Sequence, residues 1–121
     1  MTSKRDKGKL AEEIAEQHLR KLGYEILDKN WYSGHYELDI VARDHDELVI
    51  IEVKSRNGLK YEHPVEAVTD AKIKRLVDAA DSYIRNKNLN LETRFDVITI
   101  IFSNNDFELE HFKDAFYPTL Y

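Results

Sequence analysis

Cysteine does not occur in this 121-residue chain. Its absence excludes disulfides and thiolate metal sites, and it fits a reducing compartment, so a cytoplasmic location is expected. Proline is scarce at two residues and glycine at four, and no segment reads as a flexible linker. No apolar run approaches the roughly 20 residues of a membrane span. The polar opening "MTSKRDKGK" is followed by no apolar stretch of the kind a signal peptide carries. Internal repeats and low-complexity tracts are also missing. What is present is the make-up of a single domain over 1–121, with 1–7 expected as a flexible N-terminus. Apolar residues make up 42%, enough for a core, and charged residues 34%.

The net charge of −5 argues against indiscriminate binding to nucleic acid. The charge is uneven, however. Residues 54–75 carry six basic groups (Lys54, Arg56, Lys60, Lys72, Lys74, Arg75) against three acids, whereas residues 88–121 carry two basic groups against six acids. A locally basic face on an acidic protein is compatible with this spread, and so is an ordinary solvated surface.

Periodicity divides the chain into seven elements. Leu10, Ala11, Ile14, Ala15, Leu19 and Leu22 recur at helical spacing and predict a helix over 8–22, stopped by Gly23. Strands are expected over 24–30, 36–44 and 48–56, with "WYSGH" (31–35) and "DHDE" (44–47) as turns. In the second of these, Leu38, Ile40 and Ala42 alternate with Glu37, Asp39 and Val41. A loop over 57–64 leads to a long helix over 65–87, then to an apolar β-branched strand over 94–102 and a short strand over 107–112. The order α-β-β-β-α-β-β predicts an α/β fold, a central mixed sheet flanked by helices.

One stretch resists this reading as plain scaffold. "IIEVKSR" (50–56) begins as a buried strand and then places Glu52 and Lys54 two residues apart, on one side of it. Charged groups in such a place need a partner or a task. The two can simply pair with each other, with Asp39 capping a turn. Alternatively, a hairpin of 36–44 on 48–56 brings Asp39 beside Glu52. Two carboxylates together are costly unless a cation sits between them. Oxygen ligands without thiols or clustered histidines suit Mg²⁺ or Mn²⁺. Lys54 could then orient a water or stabilise charge on a phosphoryl group.

In this order the motifs resemble a known family. Asp, a hairpin, then Glu-x-Lys at a strand end is similar to the PD-(D/E)xK nucleases, which have the restriction-endonuclease-like fold. The closer resemblance is to the YraN-like family, small bacterial proteins with that fold, distantly similar to archaeal Holliday-junction resolvases. "EEIAEQHLRKLGYEILDKNW", "ELDIVARD", "LVIIEVKSR", "PVEAVTDAKIKRLVDAADSYI", "RFDVITI" and "HFKDAF" carry it over nearly the whole chain. The resemblance implies Asp39, Glu52 and Lys54 as catalytic residues, a Mg²⁺ or Mn²⁺ cofactor, and DNA as substrate, in branched or structured form. It also implies a homodimer, because a branched junction is two-fold. In one respect the chain departs from the family: Tyr36 stands where glycine is usual, with bulk that would narrow or shift the strand entry.

Further candidates have two readings each. Glu12 matches the family's helical Glu, and at about 100° per residue it falls at the border of the apolar stripe, whereas Glu13 points away. It reads as a metal ligand or as a first-turn acid favouring the helix dipole. Glu37 reads as a further ligand or as a solvated strand residue. Lys72, between Val68 and Leu76 on the apolar stripe, reads as a phosphate contact or as a snorkelling side chain. Arg56 and Lys60 read as contacts to a nucleic-acid backbone or as surface charge. Trp31 and Tyr32 read as stacking residues for unpaired bases or as cover for a core edge. None of the five histidines reads as a ligand. Three functions stay open: a metal-dependent nuclease, a non-catalytic nucleic-acid-binding module with a relic site, and a protein-interaction domain.

Overall fold

A computed structural model describes residues 4–58 and 68–116 of the chain. Within these, α1 (Lys4–Lys21) is followed by β1 (Glu25–Ser33), β2 (Tyr36–Asp44), β3 (Glu47–Asn57), α2 (Asp70–Lys87), β4 (Glu92–Ser103) and β5 (Asp106–Phe112). The five strands form one sheet in the order β1-β2-β3-β4-β5. Only β3 and β4 pair parallel; the other neighbours are antiparallel hairpins. A parallel step needs a crossover, and α2 supplies it. The fold is α/β and restriction-endonuclease-like, in the element order predicted.

The sheet divides the core into two layers. Under α2 lie Leu48, Ile50, Phe95 and Val97, packed on Ile73, Leu76, Ala80 and Tyr83. Under α1 lie Val49, Ile51, Ile98 and Ile100, packed on Ala11, Ala15 and Leu19. The buried strands β3 and β4 thus send alternate residues to opposite layers, which is why they read as continuous apolar runs. Thr69 caps α2, its side chain accepting the Lys72 N–H at 3.2 Å, and Asn88 ends it in the left-handed conformation.

Five expectations are corrected. Both helices start elsewhere than expected: α1 begins at Lys4, so residues 4–7 of the expected flexible N-terminus are helical, and α2 begins at Asp70, after the Thr69 cap. The predicted turn over 31–35 shrinks to Gly34 and His35, and Trp31, Tyr32 and Ser33 belong to β1. The predicted turn over 44–47 likewise shrinks to His45 and Asp46. In both places hairpin pairing extends to the last residue that can find a partner. Leu10 and Leu22 are exposed rather than core, at the two ends of the α1 stripe. Finally, the alternation of β2 breaks: Leu38 packs with Val41 under α2, while Ile40 and Ala42 pack under α1. The break falls at Asp39. The expected helical turn over 65–67 and the residue Lys60 lie outside the described residues.

Gly34 holds the β1–β2 turn at φ 62° as the first of two loop residues, the place where such hairpins require a positive φ. A side chain there would meet open space, so only backbone strain opposes it. Gly34→Ala is expected to cost about 1 kcal/mol in urea unfolding. A neutral result would show that the turn relaxes to another type.

A charged cluster ties the far end of the β2–β3 ladder together. Arg94 donates to both Asp96 oxygens at 2.9 and 3.0 Å, to Asp44 at 3.1 Å, to Glu47 at 3.0 Å and to the Tyr24 hydroxyl at 2.6 Å. Asp96 also accepts the Asp114 N–H at 3.0 Å and lies 2.8 Å from His111 Nε2. With Asp96 as acceptor, Nε2 of His111 carries the proton, and Nδ1 then accepts from His18 Nε2 at 3.0 Å. Two of the histidines that read as non-ligands are thereby structural.

Candidate metal centre

The β2–β3 ladder runs from Asp44↔Glu47 to Ile40↔Ile51. The next pair would be Asp39 and Glu52, and there the two strands part. Asp39 spans the opening: its Oδ2 accepts the Val53 N–H at 2.9 Å, taking the place of a backbone carbonyl. Glu52 stays in β3, opposite Val97 of β4. The hairpin argument from sequence thus places both carboxylates at one point, the mouth of the diverging strands.

Three of the predicted acids meet on the α1 side of that mouth. One carboxylate oxygen from each of Glu12, Glu37 and Asp39 lies within 4.8 Å of the others. Glu12 is half-buried and Glu13 exposed, as the helical wheel predicts. Asn30, which the sequence reading missed, donates to Glu12 at 2.8 Å and lies 3.4 Å from Glu37. It holds both while adopting a left-handed φ of 50°. An asparagine in a strand, between Lys29 and Trp31, was the available signal, because asparagine is depleted from strands and tolerates that conformation.

Glu52 faces the α2 side. It is buried, at 3% exposure. Its Oε1 lies 3.7 Å from both Lys54 Nζ and Lys72 Nζ, near enough for ion pairing and too far for hydrogen bonds. Among the described residues, its Oε2 is buried without a hydrogen-bond partner. Lys72 is therefore not only a snorkelling side chain, and the pairing of Glu52 with Lys54 satisfies at most one of its oxygens. Arg56 is exposed near the end of β3.

The electrostatics follow from this crowding. Burial, and next the Glu52 charge, push the Asp39 carboxyl up to about 9 against the opposing Val53 N–H. Burial also raises Glu52, opposed by Lys72 and Lys54. The two titrate as a pair that resists giving up both protons. Three acids converging, Glu52 behind them with an orphaned buried oxygen, and no sulfur or imidazole in the set form a donor set that fits a hard divalent cation.

The departure at Tyr36 does not close this site. Tyr36 lies across from Ser33 and Tyr32 across from Glu37. The Tyr36 ring turns toward α2, 5.9 Å below the Arg75 guanidinium. Trp31 does cover the core edge, meeting Tyr83 edge-on at 5.1 Å. Tyr32 stays exposed, and a hydrogen bond to Glu37 raises its pKa.

A mixed sheet between helices, with Asp and Glu-x-Lys where two strands part, defines an α/β protein of the restriction-endonuclease-like class. The chain belongs to the uncharacterised protein family UPF0102, whose profile matches residues 11–100. This is the same family as the YraN-like one that the motifs resemble. It is 46% identical over 121 residues to a UPF0102 protein of Bacteroides thetaiotaomicron, all of both chains. It is 41% identical to one of Flavobacterium psychrophilum, over 97% of this chain and 98% of that one. Against one of Porphyromonas gingivalis the identity is 44%, over 96% and 87% respectively. No helix among the described residues is long and apolar enough to cross a membrane.

Proposed function

We propose that this protein hydrolyses phosphodiester bonds in DNA with Mg²⁺ or Mn²⁺, and that its substrate is branched or otherwise structured. The observation that carries this reading is the Oε2 of Glu52, buried without a partner among the described residues, beside the raised Asp39 carboxyl. Such a pair costs stability in the metal-free protein, and a cation removes the cost. Asp39 and Glu52 would hold the ion, with Glu37 and Glu12 adding oxygens. The ion supplies positive charge that activates water and offsets charge on the phosphoryl oxygens.

The chain's own groups do the remainder. Lys54 and Lys72, on the far side of Glu52, neutralise phosphate charge as it enters the opening. Arg56, and Lys60 beyond the described residues, would follow the backbone of the substrate. A two-fold branched substrate would engage two copies of the chain.

The test is cleavage of linear, flapped and four-way DNA, with and without Mn²⁺ or Mg²⁺, read on denaturing gels. Cutting that needs metal and disappears in Glu52→Gln supports the hydrolase. A protein that binds these DNAs and cuts none, with affinity unchanged by Glu52→Gln, is a binding module instead. Absence of DNA binding at low salt, where phosphate contacts are strongest, would leave a protein-interaction domain. Lys72→Met, which removes the charge and keeps the length of the side chain, should lower metal-dependent cleavage roughly 10- to 100-fold, the usual size of a supporting contact in a metal site, and leave metal-induced thermal stabilisation in place. Unchanged cleavage would remove Lys72 from the mechanism.

A further inference from the structure

The tip of the β1–β2 hairpin carries two aromatic rings that the hydrolysis itself leaves unused. Tyr32 is 62% exposed and Tyr36 41%. Neither belongs to the two apolar layers of the core. Their registers place them on opposite faces: Tyr32 on the side of Glu37, Tyr36 on the side of α2. Only Ser33, Gly34 and His35 lie between them in the chain. The rings therefore do not merge into the continuous apolar patch that a protein partner would need.

The two rings have different neighbours. Arg75 lies over Tyr36. Tyr32 lines an open groove of about 770 Å³ with one basic group, Lys9, and three acids, Asp6, Glu12 and Glu37, together with Gly8 and Asn30. An exposed aromatic face takes a nucleobase by stacking, which any unpaired base offers. Position selects between the two rings. Tyr32 is paired across the hairpin with Glu37, whose carboxylate belongs to the acid cluster. A phosphate held through a cation at the acids would have its own base, or the adjacent one, within reach of that ring. In an intact duplex both faces of each base are already covered by neighbours, so a paired base cannot take the place.

We propose that Tyr32 is a stacking platform for an unpaired nucleobase, so the substrate is DNA that is single-stranded at or next to the phosphate held through a divalent cation at the acids. The proposal rests on the reading of those acids as a phosphodiester site. It narrows branched or structured DNA to forms with an unpaired nucleotide at the cut, such as a flap or a splayed junction arm. The groove is wide enough for one nucleotide, lying within the 300–1,000 Å³ of ordinary ligand sites. The ring contributes its face, and its hydroxyl is dispensable.

The test reads binding, not cleavage. Fluorescein-labelled single-stranded 20-mer and the matching duplex are titrated by anisotropy in low salt with Ca²⁺, under conditions where the DNA stays intact. Tyr32→Ala is expected to weaken single-strand binding roughly five- to a hundredfold, the equivalent of one lost stacking contact, and to leave duplex binding within twofold. Tyr32→Phe and Tyr32→Trp are expected to keep the wild-type preference. Equal losses for both DNAs in Tyr32→Ala, or a Tyr32→Phe as damaging as the alanine, would overturn the platform. So would a wild type that binds the two DNAs alike. Because Tyr32 is exposed, the variants should keep the wild-type melting temperature, which separates lost stacking from lost fold. A wild type that prefers single strands through Tyr32 yet never cuts DNA upholds the platform and sinks only the hydrolase. One that cuts DNA with no dependence on Tyr32 does the reverse.

Discussion

Asp39→Asn is expected to raise the melting temperature of the metal-free protein and to abolish its response to Mg²⁺ or Mn²⁺. The asparagine keeps an oxygen for the Val53 N–H, which Asp39 accepts at 2.9 Å, so the opening between β2 and β3 retains its spanning contact. What it removes is a buried carboxyl pushed up to about 9 by burial and by Glu52. A carboxyl whose pKa rises on folding holds its proton more tightly in the folded state. Above the unfolded value near 3.9 the unfolded chain gives up that proton first, so the group subtracts stability, increasingly until the pH passes the folded value. At neutral pH the relief is on the order of 1–3 kcal/mol, or about 5–10 °C for a domain of this size. The gain should be near zero at pH 4 and grow toward pH 8. Wild type should gain stability with metal by mass action. The variant should not, and its cleavage should fall by more than the roughly 10- to 100-fold typical of outer contacts in metal sites. Scanning fluorimetry across pH, with and without Mn²⁺, reads both effects. Equal metal stabilisation of the two proteins would remove Asp39 from the ligand set.

That expectation links function to a local cost. Diverging strands leave the ends of a sheet ladder unpaired, and elsewhere in this protein turns or caps close such ends. At Asp39 and Glu52 the ends are filled with carboxylates instead, which the fold tolerates because the rest of the sheet is sandwiched between two apolar layers. Local consistency gives way at this point, which is where a functional site is expected to break it.

The element order and both core layers were readable because period 2 and period 3.6 are written in the apolar residues themselves. The nearness of Asp39 to Glu52 was readable too, since a short hairpin turn fixes the register up to Ile40 and Ile51, one residue before them. Other features were not. The break in alternation at Asp39 depends on where two strands separate, and an uninterrupted "ELDIVARD" carries no mark of it. Asn30 was marked only by its residue type within a strand, and nothing local named its partners, Glu12 and Glu37, which come from a helix and a neighbouring strand. Trp31 and Tyr32, adjacent and both aromatic, have opposite fates for the same reason a strand has two faces: one packs on Tyr83, the other points to the acids. Arg94 and Asp96 read only as part of an apolar strand. Their five-residue network with Tyr24, Asp44 and Glu47 draws on β1's approach, both sides of the β2–β3 turn and β4, and no local pattern announces it.

Arg94→Met should be the most destabilising of these changes, by about 3–5 kcal/mol, because it leaves buried Asp96 without its counter-charge. Asp96 is fully buried. Burial alone would raise its pKa, but hydrogen bonds from His111, Arg94 and the Asp114 N–H outweigh that and hold it below the ordinary range. A carboxylate depressed in this way adds stability at neutral pH, and the contribution fades as pH falls through the ordinary aspartate range. The gap between wild type and Arg94→Met should therefore be widest near pH 7 and narrow below about pH 4, where a protonated Asp96 no longer needs the guanidinium. Asp96→Asn alone leaves Arg94 paired with Asp44 and Glu47 and should cost less than Arg94→Met. The double variant should cost less than the sum of the two, since both changes remove the same Arg94–Asp96 pair. Urea unfolding at both pH values measures all four corners of the cycle. Additive losses, or a gap that does not change with pH, would mean that Arg94 stabilises by packing over Tyr24, whose ring centroid lies 5.6 Å from the guanidinium carbon, and not by its charge.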